Sequence, residues 1–259
     1  MIDLVGVSLH YSVRPILRDL SLHIEAGELV AIVGPNGMGK SSLLNVMAGV
    51  HSPQQGSVNI DGHVRRRSEE DELAIRRKVV FLPDHPWLPD SVTGRQFALA
   101  VGRLYDVADE RLFEHLELLL PLFHLEEVAD DLMQSYSAGQ KKKIAIIGAL
   151  VAERPILMLD EPFSGGLDPS GIVALKHLLR RLAREQGRTI VMTTPVPEIL
   201  EDLADRVAIL QDGRIEAIGS VAELRAQAQN AATLAEALEQ MTQSDTLAHL
   251  ERYFQWKQP

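Results

Sequence analysis

Residues 29–42 read Leu-Val-Ala-Ile-Val-Gly-Pro-Asn-Gly-Met-Gly-Lys-Ser-Ser, and this stretch decides the fold. Leu29–Val33 is a short apolar run without polar interruption, the pattern of a strand buried on both faces. Gly34, Pro35, Asn36, Gly37, Met38, Gly39, Lys40 and Ser41 follow the spacing GxxxxGK[ST], and Ser42 to Met47 has a helical pattern. Strand, glycine loop and helix in that order form a cradle for nucleotide phosphates. The glycines let the backbone turn so that several N–H groups face one anion, and the helix N-terminus adds partial positive charge. Lys40 is expected to reach the outer phosphates and the Ser41 hydroxyl to take a Mg²⁺ position, so Gly34 to Ser42 is the expected nucleotide-binding loop.

The chain has 259 residues, enough for one large α/β domain or a core with a subdomain. Cysteine is absent, which excludes disulfides and thiolate metal sites. The formal charge of −10 argues against a broad nucleic-acid surface, and a nucleic-acid partner is not expected. The nine histidines show no metal-ligand spacing. No apolar run approaches the ~18–20 residues that span a bilayer, and Met1-Ile2-Asp3-Leu4 carries no basic signal region; the expected location is cytoplasmic.

Outward from the loop, residues 2–10 and 17–24 alternate apolar and polar, as half-buried strands do. Gly56 to Gly62 predicts a short strand, and 65–78 a charge-dense, plainly exposed helix or loop. Val79–Leu82 is a short buried strand, after which Pro83, Pro86 and Pro89 break the chain. Residues 92–150 are helical in pattern, with Leu112, Leu116, Leu119 and Leu120 as an apolar stripe. Ile156–Leu159 and Thr189–Met192 predict buried strands, Val207–Leu210 and Ile215–Ile218 a hairpin, and 221–254 helix.

The strand Ile156-Leu157-Met158-Leu159 ends in Asp160. An acid at the carboxyl end of a strand can hold Mg²⁺ beside phosphates. Glu161 follows directly, placed to orient or deprotonate an attacking water, which favours hydrolysis over transfer to a small substrate.

With these residues the chain resembles the ATP-binding subunit of an ABC transporter over residues 1 to about 220. Further motifs carry the likeness. Tyr11 follows the first strand, where the family places an aromatic against adenine; stacking on a base is worth about 1–3 kcal/mol, and simple packing is the alternative. Tyr136-Ser137-Ala138-Gly139-Gln140 looks like the family signature, usually Leu-Ser-Gly-Gly-Gln, with Tyr136 and Ala138 as departures. The resemblance implies that Ser137, Ala138, Gly139 and Gln140 bind the γ-phosphate of ATP held by the opposite subunit, a second anion site at a helix N-terminus. Ser164-Gly165-Gly166-Leu167-Asp168 is similar to the family's D-loop, which joins the two sites across the dimer, with one glycine more than the usual spacing from the glutamate. Residues 205–214 are similar to the last core strands.

Two positions depart from the family pattern. Asp84 stands where a glutamine contacts Mg²⁺ and water; its carboxylate still offers oxygen to the metal, against repulsion by the phosphates. Pro195 stands where a histidine bonds the γ-phosphate, and proline brings no donor, leaving Thr194 as a weak substitute. Loss of one positioned donor costs about 10²–10³ in turnover.

The resemblance implies an α/β fold: a P-loop NTPase (RecA-like) core with an N-terminal antiparallel β subdomain and an inserted α-helical subdomain. The expected divisions are 1–86 with 155–220 as a discontinuous ATP-binding core, 87–154 as the helical signature subdomain, and 221–259 as a C-terminal helical tail. It further implies an ATPase that uses ATP and Mg²⁺, with Glu161 and Lys40 catalytic and Ser41, Asp160 and Asp84 at the metal. A second ATP-binding subunit, as homodimer or heterodimer, and separate transmembrane subunits complete the assembly, with this chain peripheral on the cytoplasmic face of the cell membrane. The segment after Asp84 would meet those subunits through Trp87, or Trp87 sits in the core. Residues 221–259 are too few for the β-domain appended to some importers, which favours an exporter-type subunit. Leu247, Leu250 and Phe254 fall at helical spacing, read first as packing on the core and second as a partner contact. Two alternatives stand beside this reading: a nucleotide-gated subunit with a slow, degenerate site paired with a competent partner, and a soluble ABC ATPase outside transport.

Overall fold

The computed structural model describes residues 1–11, 15–229, 231–242 and 246–256. The chain runs through β1 (Ile2–His10), β2 (Pro15–Ile24), β3 (Leu29–Val33), α1 (Lys40–Ala48), β4 (Gln55–Ile60), β5 (His63–Val64), α2 (Glu69–Arg76) and β6 (Val79–Leu82). It continues with α3 (Gly94–Leu104), α4 (Asp109–Leu122), α5 (Ala138–Val151), β7 (Ile156–Leu159), α6 (Pro169–Gln186) and β8 (Thr189–Thr193). β9 (Arg206–Gln211), β10 (Arg214–Gly219), α7 (Val221–Gln227), α8 (Leu234–Met241) and α9 (Thr246–Trp256) follow.

Two sheets result. The first is four-stranded and antiparallel, in the order β2-β1-β4-β5. The second is six-stranded, in the order β10-β9-β3-β8-β7-β6, parallel except for the β9–β10 hairpin. β3 lies inside this sheet, which explains its uninterrupted apolar run. Leu29, Ala31 and Val33 enter one core, shared with the helices α3 to α5; Val30 and Ile32 enter another, shared with α1 and the antiparallel sheet. β7 divides in the same way, with Leu157 and Leu159 in the first core and Ile156 and Met158 in the second. A strand that feeds two cores has no polar face to show.

The helices α3 to α5 form an insertion between β6 and β7, which are hydrogen-bonded neighbours. Thr93 and Ser137 each close a capping box, with Gln96 and Gln140, and so fix the starts of α3 and α5. The expected leucine stripe of α4 is fully buried. From Lys142 to Val151 every residue of α5 is buried, so this helix is the centre of the insertion. Among the described residues no helix is long and apolar enough to cross a membrane.

Three expectations change. The alternation in β1 breaks at Gly6, at φ 59°, where the register with β2 shifts between Leu4 and Val7 and Val5 turns to solvent. The stretch 65–78 is not plainly exposed: the Arg65 side chain is buried, donating from Nε to the Met47 carbonyl at 3.1 Å and from a terminal nitrogen to Glu72 at 3.1 Å. A fixed carboxylate and carbonyl make that burial tolerable, although desolvation still lowers the guanidinium pKa. Of the tail stripe, the side chains of Leu247 and Leu250 lie outside the described residues, and Phe254 is 58% exposed, so it does not pack on the core.

Candidate nucleotide site

The loop 34–39 leaves β3 and enters α1 through backbone that only glycine accepts. A Cβ on Gly34 would lie 2.1 Å from the Leu210 carbonyl oxygen. Gly39, at φ 100°, precedes the helix and is pressed against Ile16. α1 carries no acid in its first turn, so nothing on the helix offsets the positive end of its dipole. The Lys40 ammonium is buried and donates to the carbonyls of Gly34 at 2.9 Å and Pro35 at 3.1 Å. Desolvation lowers its pKa, and Glu161 and Asp160 act in the opposite direction.

β7 brings Asp160 to the same place. The Ser41 hydroxyl donates to Asp160 Oδ1 at 3.2 Å, across 119 residues of chain. A hydroxyl and a carboxylate that converge in this way are hard oxygen ligands suited to Mg²⁺. Glu161 follows with φ 47°, in left-handed backbone. Its N–H donates to Thr193 Oγ1 at 2.9 Å, and the Thr193 hydroxyl donates to Asp160 Oδ1 at 2.5 Å. Sequence reasoning missed Thr193 and considered only Thr194. The Thr194 hydroxyl instead accepts the Val196 N–H at 3.1 Å, a local turn contact. Pro195 is exposed and borders a cavity of about 370 Å³ with Gly34, Pro35, Leu238 and Glu239.

Tyr11 is exposed, so it is not core packing. Its hydroxyl approaches Ser42 Oγ at 3.4 Å, and its ring meets His51 edge-on at 5.4 Å. An aromatic face is therefore available beside the loop.

The signature residues are gathered elsewhere, at the start of α5. Ser137 Oγ accepts the Gln140 N–H at 3.2 Å, and Gln140 Oε1 accepts the Ser137 N–H at 2.8 Å. Ser137 and Ala138 face solvent. A Cβ on Gly139 would come within 2.5 Å of the Gly166 carbonyl, so the signature packs directly on the glycine-rich turn after Glu161. Tyr136 is buried and donates to the Val128 carbonyl at 2.6 Å, which makes the first departure from the usual signature a structural anchor. The contacts of Ser137 to Gln140 are not with the loop 34–42 of the same chain.

The Asp84 carboxylate bonds to Lys142 and Ser164: its Oδ1 accepts from Lys142 Nζ at 3.4 Å and from the Ser164 hydroxyl at 3.5 Å. Lys143, the next residue, donates to Asp168 at 2.7 Å; with the Gly171 and Ser170 bonds this holds the Asp168 carboxyl at about 2. Trp87 is 83% exposed, which rules out a core role.

The sequence profile of the ABC transporter family matches residues 17–164. The daunorubicin resistance ATP-binding protein DrrA3 of Streptomyces coeruleorubidus is 31% identical over 222 residues, covering 86% of this chain and 69% of that protein. The sulfate/thiosulfate import ATP-binding protein CysA of Bordetella parapertussis is 37% identical over 228 residues, covering 86% of this chain and 63% of that protein. The dimeric post-hydrolysis state of the ATP-binding cassette MJ0796 with ADP and Pi superposes with a TM-score of 0.75 at 29% identity, over 85% of this chain and 98% of that one. The phosphate loop on β3, the acid pair on β7 and these matches agree: the chain belongs to the ABC transporter family, as an ATP-binding, ATP-hydrolysing P-loop cassette of the kind that dimerises.

Proposed function

We propose that this cassette hydrolyses Mg-ATP at the site built from Lys40, Ser41, Asp160 and Glu161, as one of two ATP-binding subunits that drive transmembrane partners. The observation that carries the reading is the 3.2 Å contact between Ser41 and Asp160 beside a buried Lys40. Backbone N–H groups of 34–42 and the free N-terminus of α1 bind the phosphates, and Lys40 neutralises them. Ser41 and Asp160 would hold Mg²⁺, which supplies charge stabilisation on the phosphate oxygens. Glu161 orients water and accepts its proton. Tyr11 stacks on the base. Ser137 and Ala138, open to solvent, with the half-buried Gly139 and Gln140 complete the site of the second subunit.

The transmembrane subunits would meet the face around Trp87, where a cavity of about 550 Å³ opens between His85, Leu88 and Lys141. By that association the chain would be peripheral on the cytoplasmic face of the cell membrane. Residues 1–86 with 155–220, 87–154 and 221–259 are the units we assign to nucleotide binding, signature and tail. Relatives named for daunorubicin resistance and for sulfate/thiosulfate import align with the same cassette, so the cassette by itself does not fix direction or cargo.

A second reading is favoured by Pro195 and by the engagement of Asp84 with Lys142: a site that binds ATP and turns it over slowly, paired with a competent one. One experiment tests both. Titration with a fluorescent ATP analogue is expected to show Mg²⁺-dependent binding that Lys40→Ala abolishes. Steady-state turnover of the purified protein above roughly 1 s⁻¹ overturns the slow-site reading. Binding indifferent to Mg²⁺ and to Lys40 overturns the site itself.

A further inference from the structure

Thr193 is the last residue of β8 and is 0% exposed. β7 is hydrogen-bonded beside β8, with Leu159 opposite Met192, so the next residues along each strand are Asp160 and Thr193. One hydroxyl thus meets two adjacent acidic residues. It donates to the Asp160 carboxylate at 2.5 Å and accepts the backbone N–H of Glu161 at 2.9 Å. Both contacts are buried or half-buried, where an unmet N–H or carboxylate oxygen is costly. Glu161 also stands at φ 47°. A glutamate keeps left-handed backbone only where its surroundings over-determine it, and the bond from its N–H to Thr193 is such a restraint.

We propose that Thr193 is a positioning residue for ATP hydrolysis, its hydroxyl setting both the rotamer of Asp160 and the backbone of Glu161. The reasoning rests on the roles given above to Asp160 and Glu161. It explains how β8 reaches the site in this chain: Pro195 has no donor and Thr194 Oγ1 accepts the Val196 N–H, whereas the Thr193 hydroxyl bonds to both Asp160 and Glu161.

Two variants separate hydroxyl from shape. Thr193→Val keeps the branched side chain and its strand preference; Thr193→Ser keeps the hydroxyl. Wild type and variants are titrated with a fluorescent ATP analogue over a range of Mg²⁺ concentrations, and turnover is measured on the same preparations. Loss of a group that orients a metal ligand costs about 10–100-fold. Thr193→Val is therefore expected to raise the Mg²⁺ needed for half-maximal binding by about 10-fold and to lower kcat by about 10–100-fold, with KM within about threefold. Thr193→Ser is expected within about threefold of wild type on both measures. A Thr193→Val protein with wild-type Mg²⁺ dependence and kcat overturns the proposal. So does Thr193→Ser as impaired as Thr193→Val, because the methyl would then be what matters. Should Thr193→Val not fold, Thr193→Ala is judged by the same titration and the same outcomes. Wild type without Mg²⁺-dependent binding overturns the underlying site, a result distinct from failure of Thr193 alone.

Discussion

Lys142 and Asp84 form an ion pair of unequal burial: the lysine side chain is 5% exposed and the aspartate 29%, with Nζ 3.4 Å from Oδ1 and 3.2 Å from the Asp84 carbonyl. Asp84 follows β6 and Lys142 lies in the second turn of α5, so the pair ties the loop after β6 to the helix that carries the signature. The next lysine, Lys143, holds Asp168 at the start of α6. Two adjacent residues on α5 thus grip two separate loops.

The inequality sets the direction of a mutational test. Asp84→Ala leaves a buried ammonium with only a carbonyl, whereas Lys142→Met leaves an aspartate that water can reach. Asp84→Ala is expected to cost about 1–3 kcal/mol and Lys142→Met less, by urea denaturation. Equal losses would mean that the difference in burial does not set the cost. Because Asp84 is engaged with Lys142, Asp84→Asn is expected to leave the Mg²⁺ requirement for nucleotide binding within about twofold of wild type; removing a ligating carboxylate would shift it further.

Asp168 gives a pH signature. Its carboxyl is held at about 2, below the ordinary 3.8, chiefly by Lys143. The folded pKa is depressed, so the stabilisation is complete above 3.8 and is lost as pH falls from there to about 2. Asparagine caps a helix as well as aspartate does. Asp168→Asn should therefore be less stable than wild type at pH 7, and the difference should shrink on acidification through that window. The carboxyl is 47% exposed, so the effect is screened and should weaken in high salt. A gap that is constant from pH 7 to pH 2.5 would assign the variant's defect to packing.

Much of this site is legible in sequence because its determinants are local. The loop 34–42, the acid pair after Leu159 and the Ser137–Gln140 box each lie within a few residues, and spacing alone brings their atoms together. What the sequence does not disclose is tertiary. Thr193 lies one residue past the strand expected at Thr189–Met192 and carries no mark until β8 is laid beside β7. Lys142 stands in the run Lys141-Lys142-Lys143, and nothing in that run marks it as buried until α5 is seen to be buried from this residue on. The extra glycine, Gly166, looks like slack in a turn, yet its carbonyl touches Gly139 and leaves no room for a side chain there. The burial of Arg65 is hidden for the same reason: its counter-charge, Glu72, is in the next element, and its carbonyl partner in α1.

Tyr11 separates ring from hydroxyl. Its 3.4 Å approach to Ser42 is long for an O–H···O bond, and the residue is exposed. Tyr11→Phe is expected to bind nucleotide within about twofold of wild type, whereas Tyr11→Ala should lose about 1–3 kcal/mol, or roughly 5- to 150-fold in Kd. Fluorescence titration decides between them. An alanine variant with wild-type affinity would remove Tyr11 from the base site.

Glu161 is expected to separate binding from chemistry. Glutamine retains the length and one carbonyl oxygen of the side chain but cannot accept a proton from water. Lys40 keeps its contacts with the Gly34 and Pro35 carbonyls, and Asp160 keeps those with Ser41 and Thr193, so the phosphate cradle is intact in Glu161→Gln. Single-turnover hydrolysis should therefore fall by about 10²–10⁴ while Mg-ATP affinity changes little. Unhydrolysed ATP should then persist between two copies, each giving its exposed Ser137 and Ala138 to the other's phosphates, and a dimer should appear with ATP in size-exclusion chromatography. Adding Ser137→Arg, which sets a long side chain at that surface, is expected to abolish the dimer and leave monomer binding of nucleotide unchanged. A Glu161→Gln protein that hydrolyses at the wild-type rate would assign the proton to another group. A dimer that survives Ser137→Arg would place the contact between copies elsewhere.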